Sequence, residues 1–196
     1  RLADALKTSP KAIKADGAMI ISGGTTYAKA SYHEAVETKN TLDVTGGVIY
    51  AYSSDDAINS SGDLTISGGT VLAVGTNNDG IDANGNMYLK GGTIIAMGAG
   101  GAEAGIDINE QKKLYISGGN IFGIGGRFDG SLGSTTQGIV TTSGSVSTNS
   151  TVTIANGSTT LASFNMPPYS YNNGTILVSA PGIQSGSSYT LNLGST

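Results

Sequence analysis

Cysteine and tryptophan are both absent from the 196 residues, proline occurs four times, and charged side chains make up 12% of the chain. Without cysteine there are no disulfide staples, thiolate metal sites or cysteine nucleophiles, so the composition fits any redox compartment. The share of charge is about half that of an average soluble domain. The formal net charge is −4, and the 10 basic residues are scattered rather than gathered in a stripe. Attraction to phosphate therefore drives nothing here, which argues against nucleic acid as a partner. No apolar run approaches the ~20 residues of a membrane span. The first residues, Arg1-Leu2-Ala3-Asp4-Ala5, carry no signal-peptide hydrophobic stretch. Helical periodicity is missing beyond Lys14, and no collagen-type Gly-X-Y period occurs. A length of 196 residues with 38% apolar side chains suits one domain with a core.

Glycine is abundant, with 31 residues, and it is ordered along the chain. A Gly-Gly pair follows a short apolar run at Gly23-Gly24, Gly46-Gly47, Gly68-Gly69, Gly91-Gly92 and Gly118-Gly119, at intervals of 23, 22, 23 and 27 residues. A second column keeps the same period, a small residue and then a branched one: Ala12-Ile13, Ala35-Val36, Ala57-Ile58, Gly80-Ile81, Gly105-Ile106 and Gly138-Ile139. Alternating segments lie on both sides of each pair, such as Leu64-Thr65-Ile66-Ser67 before and Thr70-Val71-Leu72-Ala73-Val74 after. Apolar positions two apart are the mark of a half-buried strand.

Three short strands in a period of about 22 fit neither leucine-rich nor propeller repeats, but one coil of a parallel β-helix. The fold predicted is all-β, a right-handed parallel β-helix of about five to six coils of ~22–23 residues. Met19, Leu42, Leu64, Met87 and Leu114 form one inward column, and Ile13, Val36, Ile58, Ile81, Ile106 and Ile139 another. The small column Ala28, Ala51, Ala73, Ala96, Gly123 is expected at a tight corner of the core. At the Gly pairs the chain either needs positive φ or must lose a Cβ that would strike the coil above. Residues 1–140 are read as the coils, with a long loop at 125–138. The Ser-, Thr- and Gly-rich stretch 141–196 is read as strands capping the last coil in the same domain.

The corner segments Asp55-Asp56-Ala57-Ile58-Asn59, Asn78-Asp79-Gly80-Ile81-Asp82 and Gly105-Ile106-Asp107 resemble the bacterial surface β-helix family of carbohydrate-binding domain-containing proteins. The ending resembles that family too, through Leu161-Ala162-Ser163-Phe164, Leu177-Val178-Ser179-Ala180-Pro181 and Gly186-Ser187-Ser188-Tyr189-Thr190-Leu191. The resemblance covers roughly Lys11 to Thr196 and implies binding of polygalacturonate-type plant polysaccharide in association with calcium. One departure is that the first coil carries Lys11 and Lys14 where later coils carry acids, so a metal column should not reach it.

The acids are clustered. Glu34, Asp56 and Asp79 precede the Ala-Ile element in successive coils, Glu37, Asn59, Asp82 and Asp107 follow it, and Asp55, Asn78 and Glu103 lie alongside. Carboxylates stacked at ~4.8 Å repel by roughly 1 kcal/mol in water and by more when partly buried. Raised pKa values or bridging hard cations relieve this. Oxygen-only donors suit Ca²⁺, and a single His with no Cys is a poor match for zinc or copper. The candidate metal ligands are Glu34, Asp55, Asp56, Asn78, Asp79, Asp82, Glu103 and Asp107, the alternative being a solvated acidic ridge.

Catalysis finds less support. A polysaccharide lyase needs a strong base beside its calcium acids. The two arginines are Arg1 and Arg127, and Arg127 is expected in the loop, outside the acidic corner. A glycoside hydrolase needs two carboxylates ~5 Å or ~6.5–9.5 Å apart, which any stacked Asp ladder satisfies trivially. The Gly-His-Gly and Arg-x-Lys signatures of pectin hydrolases are missing. His33 is read as an exposed turn residue, and Asn109-Glu110-Gln111-Lys112-Lys113 as a solvated turn.

Tyr27, Tyr50 and Tyr52 offer flat faces on which sugars can stack, and with Arg127 they are the candidate carbohydrate contacts. The same outward columns continue as Leu72, Ile95, Phe122 and Val74, Met97, Ile124. That stripe is either a glycan platform or a face packed beneath the cap or an N-terminal segment. The expected function is thus a non-catalytic, calcium-associated module binding plant cell-wall or acidic polysaccharide, extracellular or on a bacterial cell surface, with any signal or anchor segment outside these 196 residues. A structural, adhesin-like spacer is the alternative, and a calcium-dependent lyase or hydrolase the third.

Overall fold

The computed structural model describes residues 9–128 and 130–194. Arg1, the start of the expected coil region at 1–8, and the last two residues of the expected cap lie outside these. The described residues contain strands and no helix, and their parallel strands stack as a β-solenoid of about five turns. The first coil holds β1 (Ile13–Ala15), β2 (Met19–Ile21) and β3 (Thr25–Ala30), the second β4 (Val36–Thr38), β5 (Leu42–Val44) and β6 (Val48–Ser53). The third holds β7 (Ile58–Ser60), β8 (Leu64–Ile66) and β9 (Thr70–Gly75). In the fourth, β10 (Ile81–Ala83) precedes β11 (Met87–Met97), and in the fifth β12 (Ile106–Ile108) precedes β13 (Leu114–Gly125). The strands before and after the Gly pair run together in these two coils, with register shifts around Lys90.

The periodic columns set the register. Ile13, Val36, Ile58, Ile81 and Ile106 are parallel partners along β1-β4-β7-β10-β12, and Met19, Leu42, Leu64, Met87 and Leu114 along the adjoining sheet. Apart from the partly buried first-coil members Ile13 and Met19, these side chains fill the solenoid interior. The small column Ala28, Ala51, Ala73, Ala96, Gly123 is also in register, but it sits mid-strand and not at a corner. The space above it is taken by side chains of the opposite sheet: a Cβ on Gly123 would lie 3.4 Å from Ile106 Cδ1.

Both glycine requirements hold within one pair. A Cβ on Gly46 would come within 2.7 Å of Ser22 O in the preceding coil. Gly47 has φ +86°, which L side chains rarely adopt. In the first coil, no described residue comes within 4 Å of the same positions at Gly23 and Gly24.

The segment 126–138 is less free than a loop. It keeps the course of the coil below through the hydrogen bonds of Arg127 N to Glu103 O (3.2 Å), Leu114 N to Ser131 O (2.9 Å) and Thr136 N to Ile116 O (3.0 Å). Isolated bridges join Ala104 to Arg127 and Leu114 to Leu132. Ile139 does not extend the Ile column as the sequence suggested. It opens β14 (Ile139–Val146), which pairs antiparallel with β17 (Tyr171–Ser179).

The cap comprises β14, β15 (Thr151–Asn156), β16 (Thr159–Asn165), β17 and β18 (Thr190–Asn192). Strand β17 pairs antiparallel with β13 and so covers the edge of the last coil. Its partner sheet, β16-β15-β18, closes a second apolar core over the outward stripe of the solenoid. Leu72, Val74, Ile95, Met97, Phe122 and Ile124 are buried there against Val152, Ile154, Phe164 and Val178. The rings of Phe122 and Phe164 meet at 5.6 Å, tilted by 45°. Gln137 ties the layers together, its Nε2 donating to Gly119 O at 2.8 Å and to Ser179 Oγ at 2.9 Å.

Candidate functional site

The β1-β4-β7-β10-β12 sheet carries three side-chain columns, because residues 22 to 25 apart repeat the same direction in each coil. The column at the start of the strands reads Lys11, Glu34, Asp56, Asp79, Ala104. The column within them reads Lys14, Glu37, Asn59, Asp82, Asp107 in parallel register. A flanking column reads His33, Asp55, Asn78, Glu103.

The basic end of the ridge is neutralised by the first coil. Lys11 forms an ion pair and hydrogen bond with Glu34, and its Nζ lies 3.7 Å from Glu37 Oε2. Glu37 is 1% exposed and also holds Lys39. Burial alone would raise the Glu34 carboxyl, but the hydrogen bond and charge of Lys11 win and hold it below its ordinary value. Glu34, a candidate metal ligand from the sequence, pairs with Lys11 and also belongs to a group with His33 and Asp55 whose ligand atoms lie within 4.8 Å of one another. His33 is not the exposed turn residue expected: its Nδ1 stands 3.6 Å from Asp55 Oδ2, its buried Nε2 has no hydrogen-bond partner among the described residues, and with Glu34 and Asp55 it forms a compact group. Asp55 is held from the other side by Asn78, whose Nδ2 donates to Asp55 Oδ1 at 2.9 Å.

Further along, the three columns contain no lysine or arginine. Asp56 and Asp79 are 6% and 7% exposed, and each accepts a backbone N–H of the next coil. Asp79 N donates to Asp56 Oδ1 at 3.0 Å, and Ala104 N to Asp79 Oδ1 at 2.6 Å. Asn59 bridges two acids, donating from Nδ2 to Asp82 Oδ2 at 2.7 Å and to Asp56 Oδ2 at 3.1 Å. Carboxylate oxygens of Asp79, Asp82 and Asp107 all fall within 4.8 Å of one another. Burial, with like charge behind it, pushes these groups up: Asp56 to about 6, Asp79 to about 7 and Asp82 to about 8.

These acids line an open cleft of about 340 Å³ together with Asn78 and Arg127. Arg127 does not lie outside the acidic corner. Backbone bonding of 126–138 to the coil below carries it to the rim, where the sequence left it in a loop. Glu103 does not line the cleft but stands close enough for its charge to act on Asp79. Asn109 and Glu110 reach the cleft from the exposed turn that the sequence assigned to them.

An oxygen-only donor set in which Asp79 and Asp82 hold protons unusually tightly fits a hard divalent cation, which would displace those protons. Asp79, Asp82 and Asp107 would hold it, and the ion would supply positive charge at the cleft floor.

The three candidate tyrosines are treated differently by the cap. Tyr50 and Tyr52 are half-buried against the second core, and Tyr52 stacks on Tyr169 of the cap at 5.7 Å. Tyr27 is 75% exposed and stacks on Tyr50 at 4.5 Å. The apolar stripe is thus covered from the third coil onward and open at the first. Tyr169 escaped the sequence reading because nothing periodic marks it, whereas Asn59 was placed in the Asp82 column but not among the candidate ligands.

Comparison with protein-family models, with curated proteins and with solved structures finds no match.

Proposed function

We propose that this solenoid is a non-catalytic module that binds acidic polysaccharide, with a calcium ion in the Asp79–Asp82–Asp107 cleft bridging protein and glycan carboxylates. One observation carries this: the carboxylates of Asp79, Asp82 and Asp107 lie within 4.8 Å of one another, burial raises the proton affinity of Asp79 and Asp82, and the group opens onto a cleft instead of a sealed core. A cation there leaves coordination positions facing outward, and a uronate carboxylate is a ligand of the class Ca²⁺ prefers. Calcium also makes a chain of net charge −4 compatible with an anionic polymer. Arg127 on the rim adds a bidentate carboxylate donor. The extracellular or cell-surface setting expected from the sequence belongs to this proposal.

Electrophoresis through gels containing polygalacturonate tests it. Calcium should retard the protein and EDTA should lessen that retardation; equal mobility in both overturns the proposal. The position of Arg127 beside the acids favours a second reading, calcium-assisted eliminative cleavage of a uronate chain, since a base beside the cation is what that chemistry requires. Ultraviolet absorbance of an unsaturated uronate product separates the two.

A further inference from the structure

The cap stops short of the first coil, and the edge it leaves is a groove with a defined chemistry. A cavity of about 410 Å³ lies between Tyr27, Lys29 and Tyr52 of the first two coils and Pro168 and Tyr169 of the cap. The Tyr27 ring rests on Tyr50 at an interplanar angle of 10°, so one of its faces is stacked while the residue as a whole is 75% exposed. Tyr52 and Tyr169, stacked at 5.7 Å, form the wall at the cap side. Lys29 also borders an adjoining cavity of about 170 Å³ whose lining includes Ser31, Ser53 and Ser54. Its ammonium forms no ion pair among the described residues, whereas Lys11, Lys14 and Lys39 do.

The groove thus combines flat apolar faces, hydroxyl groups at their edges, and one positive charge at the boundary between an apolar half and a hydroxyl-lined half. A pyranose ring matches this: its C–H face stacks on an aromatic ring, its hydroxyls meet the tyrosine and serine edges, and a ring carboxylate meets the ammonium. A long apolar peptide side chain would leave the ammonium and the hydroxyl-lined half unused.

We propose that Tyr27, Lys29, Tyr52 and Tyr169 form a second, cation-independent subsite for a uronate residue. It rests on the reading of the chain as an acidic-polysaccharide binder, and it lies on a different sheet face from the acidic cleft. Two subsites on one rigid solenoid engage one polymer at two points, so each raises the effective concentration at the other.

Calorimetric titration with hexagalacturonate in EDTA tests the subsite apart from the cleft. The full chain should retain measurable binding in EDTA. Tyr27→Ala and Lys29→Gln should each weaken that residual binding roughly tenfold, the scale of one lost stacking or charged contact. Thr159→Ala, at an exposed position of β16, should leave it unchanged. Tyr27 and Lys29 face outward on the first coil, so thermal melts should match the parent and exclude misfolding as the cause. Absence of binding in EDTA overturns the subsite, as does binding that both substitutions leave intact. Binding in EDTA that calcium fails to strengthen would leave the subsite standing and remove the cleft from the account.

Discussion

Asp79 Oδ1 accepts a 2.6 Å hydrogen bond from the backbone N–H of Ala104, the residue one coil further along its column. The same carboxyl group belongs to the oxygen cluster with Asp82 and Asp107. Asp79 thus joins two coils and faces the cleft, and its two roles can be separated. Asp79→Asn keeps an acceptor for Ala104 but removes the charge. In chelator near pH 8 it should raise the melting temperature, because like-charge repulsion falls, and it should abolish stabilisation by calcium. Asp79→Ala leaves a buried N–H without a partner and should cost about 1–3 kcal/mol in chemical denaturation.

The acid cluster makes stability pH-dependent in a direction opposite to that of paired carboxylates. Asp56, Asp79 and Asp82 hold protons up to about 6, 7 and 8 when folded, against 3.8 for an ordinary aspartate. The folded state therefore binds more protons than the unfolded state between these limits. Their stabilising contribution is full below 3.8 and is lost as pH rises through 6, 7 and 8. In EDTA, melting temperature should fall across that window. Saturating calcium binds the ionised carboxylates and should flatten the fall.

Glycine positions differ in what they tolerate. At Gly47, an added Cβ meets positive φ and lies 2.8 Å from Gly24 O, whereas at Gly24 it meets positive φ alone. Gly24→Ala should cost ~1–2 kcal/mol, and Gly47→Ala about 2–5 kcal/mol once overpacking is added. Equal losses in urea denaturation would contradict the stacking geometry.

The cap depends on the aromatic contact between Phe122 and Phe164, both buried in the second core. Phe164→Ala should cost about 3–5 kcal/mol. Hydrogen exchange should accelerate first in β15 and β16, and later in the coils.

The coil architecture was legible because a solenoid writes its register into the sequence: each column, such as Leu42, Leu64, Met87 and Leu114, repeats at the coil period. The acidic ridge was legible for the same reason, and Asp56, Asp79, Asp82 and Asp107 do meet at one cleft. Contacts that break the period were not legible. Arg127 follows the last Gly pair in a stretch that keeps backbone bonding to the coil below but none of its side-chain signature. Tyr169 reaches Tyr52 across 117 residues of chain (169 − 52), through an antiparallel cap with no repeat to betray it. His33 is half-enclosed because Asp55 stacks above it, a relation visible only once the columns are aligned in space.

Under the proposed function, calcium occupies the Asp79–Asp82–Asp107 cleft and bridges to a uronate. Calorimetric titration of calcium into chelator-stripped protein near neutral pH, with and without hexagalacturonate, tests it most directly. Calcium binding should release protons, seen as heats that depend on the buffer's ionisation enthalpy, and calcium affinity should tighten when the glycan is present, as reciprocal linkage demands. Absence of calcium binding, or an affinity unchanged by the glycan, would contradict it.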